Sequence, residues 1–170
     1  MSSIVLLSGP VGAGKTTVAK ALVEASEGPT VYIEGDAFWF FIAKPLRDQG
    51  RNQKFHMIMR AMTASARSFA RTGYEVILDF SIPPWFLDTA RAIAKETPLD
   101  FVVLRPSEAV CASRAAARDE GTIPDYAPYR DLYAAFDGAE RHMISDDEGD
   151  AAVVAARIRQ GISAGSFRLG

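Results

Sequence analysis

The sequence predicts an α/β protein: a parallel sheet with helices packed on both faces. Two observations carry that reading. Short, continuous apolar runs such as Ile4–Leu7 and Phe101–Leu104 alternate along the chain with longer stretches of helical periodicity, the pattern of strand–helix–strand units. Runs that are apolar at every position, rather than at every second one, suit strands buried on both faces. The other observation is a glycine-rich stretch, GPVGAGKT at residues 9–16, which falls between the first apolar run and the first helical pattern.

Taken in order, Ile4–Leu7 reads as the first strand and Lys15 to about Ser26 as the first helix. Thr30–Ile33 is a second strand ending at Gly35-Asp36. A helical region from about Asn52 to Thr72 stops at Gly73, a residue suited to a helix C-terminus. Tyr74–Leu78 is the third strand and closes in Asp79, after which Pro83-Pro84 open a helix through about Glu96. Phe101–Leu104 is the fourth strand, and Ser107 is the expected N-cap of a helix to about Asp119. Gly121–Pro128 combines Gly, Asp and two prolines and reads as an irregular, mobile loop. His142–Ser145 makes a short last strand and Ala151–Gln160 a last helix. No repeat, low-complexity tract or linker interrupts the pattern, so residues 1–170 are expected to form a single domain.

Composition narrows the class. The chain has 170 residues, 48% apolar and 24% charged, with a net charge of −2, which excludes global disorder. A domain of that length buries roughly 70% of the surface its unfolded chain exposes, so no metal or disulfide staple is required. The apolar runs fall far short of the ~20 residues of a spanning helix, and MSSIVLLSGP lacks the basic start of a secretory signal. Cys111 is the only cysteine, so no internal disulfide forms and a reducing, cytoplasmic setting is expected. The near balance of 19 basic and 21 acidic residues argues against nucleic acid as a partner.

Residues Gly9 to Thr16 match the phosphate-loop pattern G-x-x-x-x-G-K-[ST] in the strand–loop–helix context that gives it meaning. Gly9, Gly12, Ala13 and Gly14 supply backbone N–H groups that surround a phosphate, and the next helix adds its positive N-terminal end through Thr16 and Thr17. Lys15 is expected at the β- and γ-phosphates and the Thr16 hydroxyl on Mg²⁺. ATP and Mg²⁺ are the ligands predicted.

With this motif in place, nearly the whole chain, roughly Ile4 to Ile158, resembles the small P-loop kinases: shikimate and gluconate kinases, nucleoside monophosphate kinases, and chloramphenicol phosphotransferase-like or zeta-toxin-like kinases. The resemblance implies a three-layer P-loop NTPase fold with a five-stranded parallel sheet of order 2-3-1-4-5. It also implies an acceptor-binding region over about 37–72 and a mobile lid over about 118–131. Three further features carry it. Glu34-Gly35-Asp36 follows the second strand, where shikimate and gluconate kinases have a similar acidic-x-acidic triplet. By that likeness Glu34 faces a Mg²⁺-bound water and Asp36 orients the acceptor hydroxyl and takes its proton, although Glu replaces the commoner Asp at the first position. A plain Gly-Asp turn is the competing reading. Asp79 stands at the Walker B position, as a magnesium-organising carboxylate or as a mere cap of the following turn. Arg114 and Arg118, spaced i, i+4 on one expected helix face, resemble the arginine pair of nucleoside monophosphate kinases. One such guanidinium lies over adenine and the other contacts the phosphates, with Arg118 supplying transition-state charge on lid closure. A solvated face paired with Glu108, Asp119 or Glu120 explains the same spacing. Arg130 is a further lid candidate.

The segment Ala37-Phe-Trp-Phe-Phe-Ile42, with Trp85 and Phe86, reads either as an aromatic wall for an organic acceptor or as core packing. Arg47, Arg51, Lys54 and Arg60 flank that zone, and convergence of two or more would mark an anionic acceptor. Cys111, His56 and His142 are read as structural. The sequence therefore predicts an ATP-dependent phosphotransferase that moves the γ-phosphate to a hydroxyl or phosphate of a small molecule, working as a monomer or weak dimer. A regulatory switch and a non-catalytic nucleotide-binding module are the alternatives, and no Asn/Thr-Lys-x-Asp guanine motif supports the switch. The acceptor stays open among nucleoside monophosphates, sugar acids, antibiotics and nucleic acid ends.

Overall fold

Alternate residues of each central strand point to opposite faces, and in this chain both sets are apolar. The computed structural model describes residues 3–94, 97–119 and 121–169. Its strands are β1 (Ile4–Ser8), β2 (Thr30–Glu34), β3 (Glu75–Asp79), β4 (Leu99–Leu104) and the two-residue β5 (Met143–Ile144). They form one parallel sheet of order β2-β3-β1-β4-β5. Ile4, Leu6, Val76, Leu78, Phe101 and Val103 enter the core on one face. Val5, Leu7, Ile77, Val102 and Leu104 enter the core on the other. The expected three-layer fold and strand order are both present.

The first face is covered by α3 (Arg51–Arg71) and α4 (Leu87–Ala94). Ile58, Met59, Met62 and Ala66 of α3 recur at three- and four-residue spacing and are fully buried, so one stripe of this 21-residue helix meets the sheet. The second face carries α1 (Lys15–Glu24), α5 (Glu108–Ala116) and α7 (Ala151–Ser163), through Leu22, Cys111 and Ile158 among others. Cys111 is thus buried core, as expected. Two short helices, α2 (Ala37–Phe40) and α6 (Arg130–Ala134), lie in the connections at the carboxyl edge of the sheet.

Several details differ from the sequence reading: β4 begins at Leu99 instead of Phe101, α7 runs to Ser163 instead of Gln160, and α2 and α6 were not expected. The helix expected from Pro83-Pro84 begins as a 3₁₀ turn over Pro84–Phe86 before α4, and its expected last residues, Lys95 and Glu96, lie outside the described residues, as does Glu120. The helix after β4 ends at Ala116, not Asp119. Its Ser107 N-cap is confirmed, with the hydroxyl accepting from the Val110 N–H at 3.4 Å. The earlier stop has a tertiary cause: the Ile123 N–H reaches back to the Ala115 carbonyl at 3.0 Å, and Ala117 closes on the Ser113 carbonyl. The Ala115 carbonyl is satisfied by the returning loop, so the helix gains no bond there by continuing.

In-register pairing sets Leu7 and Glu34 on either side of Asp79, so the ends of β1, β2 and β3 share one edge. This is the edge at which α/β sheets bind ligands.

Candidate active site

The loop after β1 is held from both ends. The Ser8 hydroxyl accepts from the Ile82 N–H at 2.7 Å and donates to the Ile82 carbonyl at 2.9 Å, while the Ser81 hydroxyl donates to the Gly9 carbonyl at 2.9 Å. Gly9 and Gly12 have φ of 142° and 81°, and a Cβ on either would run into the Leu104 or the Cys111 carbonyl oxygen. Glycine is therefore required at both positions, and the loop packs directly on β4 and α5. Gly14 is the residue before α1, whose first turn has no acidic side chain, so its positive end stays available to an anion. Ala13 is buried beneath the loop, and Thr16 and Thr17 are exposed at the start of α1.

Lys15 arches back across the loop, with Nζ donating to the Pro10 carbonyl at 3.0 Å. Burial lowers its ammonium pKa, the carboxylates of Asp79 and Asp36 oppose that shift, and the Arg118 guanidinium adds to it. Those three side chains therefore lie within electrostatic reach of one ammonium. Asp79 is 4% exposed. Its Oδ2 accepts from the Thr16 hydroxyl at 2.8 Å and from the Tyr32 hydroxyl at 3.3 Å. Burial raises the Asp79 pKa, while Lys15 and the two hydroxyl donors hold it down. Glu34 pairs in register with Asp79 and is exposed. A magnesium ion is usually bound by one or two carboxylates together with substrate phosphates and waters. The Thr16 hydroxyl beside the Asp79 carboxylate fits that pattern, with Glu34 as a neighbouring carboxylate. Among the described residues no three His, Cys, Asp or Glu side chains form an all-protein metal cage.

Tyr32 was not among the residues the sequence singled out. Its position two residues before Glu34, hence on the same side of β2, was the available signal. Its hydroxyl fixes the orientation of the Asp79 carboxylate.

Two cavities flank the phosphate loop. One, about 230 Å³, is lined by Gly14, Thr17, Leu104, Arg114, Ile144 and Asp146. Arg114 is held there by Nη2 donating to the Asp147 carbonyl at 3.2 Å. The other cavity, about 430 Å³, lies across the loop, with Val11 and Asp36 in its wall together with Trp39, Phe55, Phe80 and Phe86. Asp36 stands just ahead of α2, is exposed, and makes no side-chain cap bond. Of the four basic residues expected near this zone, Arg51 lines the cavity, and Arg60 instead lines a separate cleft beside His56. Trp85, Phe40 and Phe41 are 64%, 87% and 74% exposed, outside the cavity wall. Phe55 and Phe80 are wall residues the sequence reading missed.

The arginine pair needs correction. Arg118 lies beyond the end of α5, so Arg114 and Arg118 do not share a helix face. Arg118 sits in the returning loop, where its carbonyl accepts from the Thr122 hydroxyl at 2.7 Å. Arg130 forms an ion pair with Glu108 at 2.8 Å, the residue considered as a partner for the arginine pair.

The same loop is tied to the phosphate loop. The buried Tyr126 hydroxyl donates to the Val11 carbonyl at 2.7 Å. Tyr126→Phe is expected to lower stability by about 0.5–1.5 kcal/mol, the contribution of one such bond. That should appear as a fall of a few degrees in the melting temperature by scanning calorimetry, and an unchanged melting curve would show the bond to be dispensable.

A loop of this geometry after the first strand of a 2-3-1-4-5 sheet defines a P-loop protein of the kinase-like fold. The chain belongs to the family described as AAA domain, whose profile matches residues 4–137. No curated protein sequence matches it significantly. Among solved structures, the tunicamycin resistance protein of Deinococcus radiodurans is similar at a TM-score of 0.75 and 19% identity, covering 100% of this chain and 99% of that one. A gluconokinase from Sinorhizobium meliloti follows at 0.64 and 24%, with 96% of each chain covered. The APS kinase of Mycobacterium tuberculosis, in complex with AMPPNP and APS, matches at 0.69 and 16%, covering 95% of this chain and 98% of its own. At these identities the likeness is one of fold. Among the described residues no helix is long and apolar enough to cross a membrane.

Proposed function

We propose that the protein is an ATP-dependent phosphotransferase that moves the γ-phosphate of ATP to a hydroxyl or phosphate of a small molecule. The observation that carries this reading is the pair of cavities beside one phosphate loop, with Asp36 in the wall of the second and both Asp36 and Asp79 in the electrostatic field of Lys15. A switch protein needs a nucleotide cavity alone, whereas a transferase needs a second one for the acceptor. The nucleotide occupies the cavity lined by Gly14, Thr17 and Arg114, with its phosphates on the backbone of Gly9, Gly12, Ala13 and Gly14. Thr16 and Asp79 would hold Mg²⁺, and Glu34 would hold one of its waters. Bound there, the ion would supply charge neutralisation to the phosphates. Lys15 draws charge toward the bridging oxygen, and Asp36 orients the acceptor hydroxyl from the second cavity. The lone Cys111, with no internal disulfide possible, supports a cytoplasmic enzyme acting as one domain, and we take it to work as a monomer or weak dimer.

Arg118 adds positive charge as the 118–131 loop closes. Arg118→Ala is therefore expected to cut kcat more than it raises KM for ATP. A change confined to KM moves Arg118 from the transition state to ground-state binding. The reading as a whole is tested by ADP release from ATP and Mg²⁺ with pooled metabolites, followed by ³¹P NMR on any active pool. ADP release that is the same with and without every pool, and yields only inorganic phosphate, replaces the transferase with an ATPase.

A further inference from the structure

The lining of the second cavity restricts what it can accept. Phe55 is the centre of an aromatic cluster, with ring centroids 5.3 Å from Phe80, 4.6 Å from Phe86 and 6.4 Å from Trp39. Phe80 and Phe86 are buried and give the cluster its base, while Trp39 and Phe55 are half-buried where they border the cavity. Pro83 and Leu132 extend the same apolar wall. Against this, the polar lining is sparse. Ser81 is already engaged, donating to the Gly9 carbonyl. Asp36, Arg51 and Asn52 remain, and none has a side-chain hydrogen bond or ion pair among the described residues.

A polyhydroxylated acid entering here would leave most of its hydroxyls against ring carbon, without the partners they had in water. A phosphate dianion would meet one exposed guanidinium rather than several converging cations. A flat apolar body instead matches the cluster in shape and in its preference for offset and edge contacts. One guanidinium and one amide, adjacent at the start of α3, suit a single carboxylate or similar acceptor group.

We propose that this cavity binds an aryl alcohol carrying one carboxylate or other hydrogen-bond-accepting group, with its ring among Trp39, Phe55, Phe80 and Phe86 and that group on Arg51 and Asn52. The inference rests on the transferase reading for its reaction. There, the alcohol oxygen bonds to the γ-phosphorus, the bond from that phosphorus to the β–γ bridging oxygen breaks, and ADP leaves with the electron pair. The hydroxyl proton passes to Asp36 and then to water.

The test separates binding from transfer in the intact protein. Dissociation constants are measured by ligand-observed NMR for 4-(hydroxymethyl)benzoate, benzyl alcohol, gluconate and AMP, the last in the presence of saturating ATP to block the nucleotide cavity. The benzoate is expected to bind at least about tenfold more tightly than each of the others, the scale of one charge-assisted contact. Arg51→Ala, a change at an exposed position, should reduce its affinity to that of benzyl alcohol. Phe55→Leu, which keeps an apolar side chain, should weaken both aryl ligands together. Tighter binding of gluconate or AMP, no binding of either aryl alcohol at millimolar concentration, or an unchanged preference in Arg51→Ala each overturns the proposal. Phosphoryl transfer is followed in parallel by ³¹P NMR. Aryl alcohol binding without transfer leaves the cavity assignment standing and removes the transferase reading. Phosphorylation of gluconate or AMP does the reverse.

Discussion

Replacing Lys15 with alanine is expected to abolish phosphoryl transfer, a loss on the order of 10³-fold or more, while the melting curve stays close to that of the parent. The two halves of that expectation have separate grounds. Lys15 is the cation closest in sequence and space to the phosphate loop, with its ammonium over the Pro10 carbonyl and in the fields of Asp79 and Asp36. Removing it leaves the developing charge on the transferred group without a counter-charge at the loop. Its side chain, however, makes no ion pair within hydrogen-bonding distance, and burial already disfavours its charge. The fold therefore loses one hydrogen bond to a carbonyl and sheds a desolvation cost, two small and opposing effects. Calorimetry and an ADP-release assay on the same preparation check both. Full activity with a normal melting curve would remove the phosphate-loop assignment altogether.

Asp36→Asn is expected to leave ATP–Mg²⁺ affinity within about threefold and to lower transfer by on the order of 10²–10⁴, the range of a positioned general base. The substitution preserves shape and removes only charge. Asp36 lines the aromatic cavity beside Val11 of the phosphate loop and is a negative neighbour of Lys15. The carboxylate thus lines the cavity proposed for the acceptor, while Asp79 is bonded to Thr16 at the start of α1. With a loose transition state in which positioning dominates, much of the expected loss comes from misorientation of the acceptor hydroxyl. Single-turnover rates at saturating ATP, set beside nucleotide affinity from titration calorimetry, separate the two. An Asn variant with parental turnover would leave Asp79 as the acidic group that acts on the acceptor.

The legible parts of the site were those whose chemistry is local. The phosphate loop is a run of eight contiguous residues whose backbone N–H groups, Pro10 excepted, form the phosphate-binding pattern, so it is written in one stretch of chain. Asp36 and Asp79 were legible because a residue just past a parallel strand is carried to the ligand edge by the sheet itself. Arg118 was misread in its setting: spacing alone put it on a helix, and the fold ended that helix at Ala116 through a carbonyl satisfied from Ile123. The aromatic segment 37–42 with Trp85 and Phe86 read as either cavity wall or core for a related reason. All lie in the region expected, but a four-residue helix and a 3₁₀ turn splay neighbours to opposite sides. Trp39 and Phe86 consequently line the cavity, while Phe40 and Trp85 face solvent.

By itself the sequence determined the five strands, the main helices, their parallel arrangement and the phosphate loop, because strand burial, helical periodicity and a glycine-dependent turn are all short-range properties of the chain. Only the tertiary structure decided which side chains meet. The second cavity draws Val11, Asp36, Phe55, Phe86 and Leu132 from five separate segments, and the Tyr32 hydroxyl reaches a carboxylate 47 residues away. Contacts of that kind depend on the packing of helices against a twisted sheet, and no spacing along the chain encodes them.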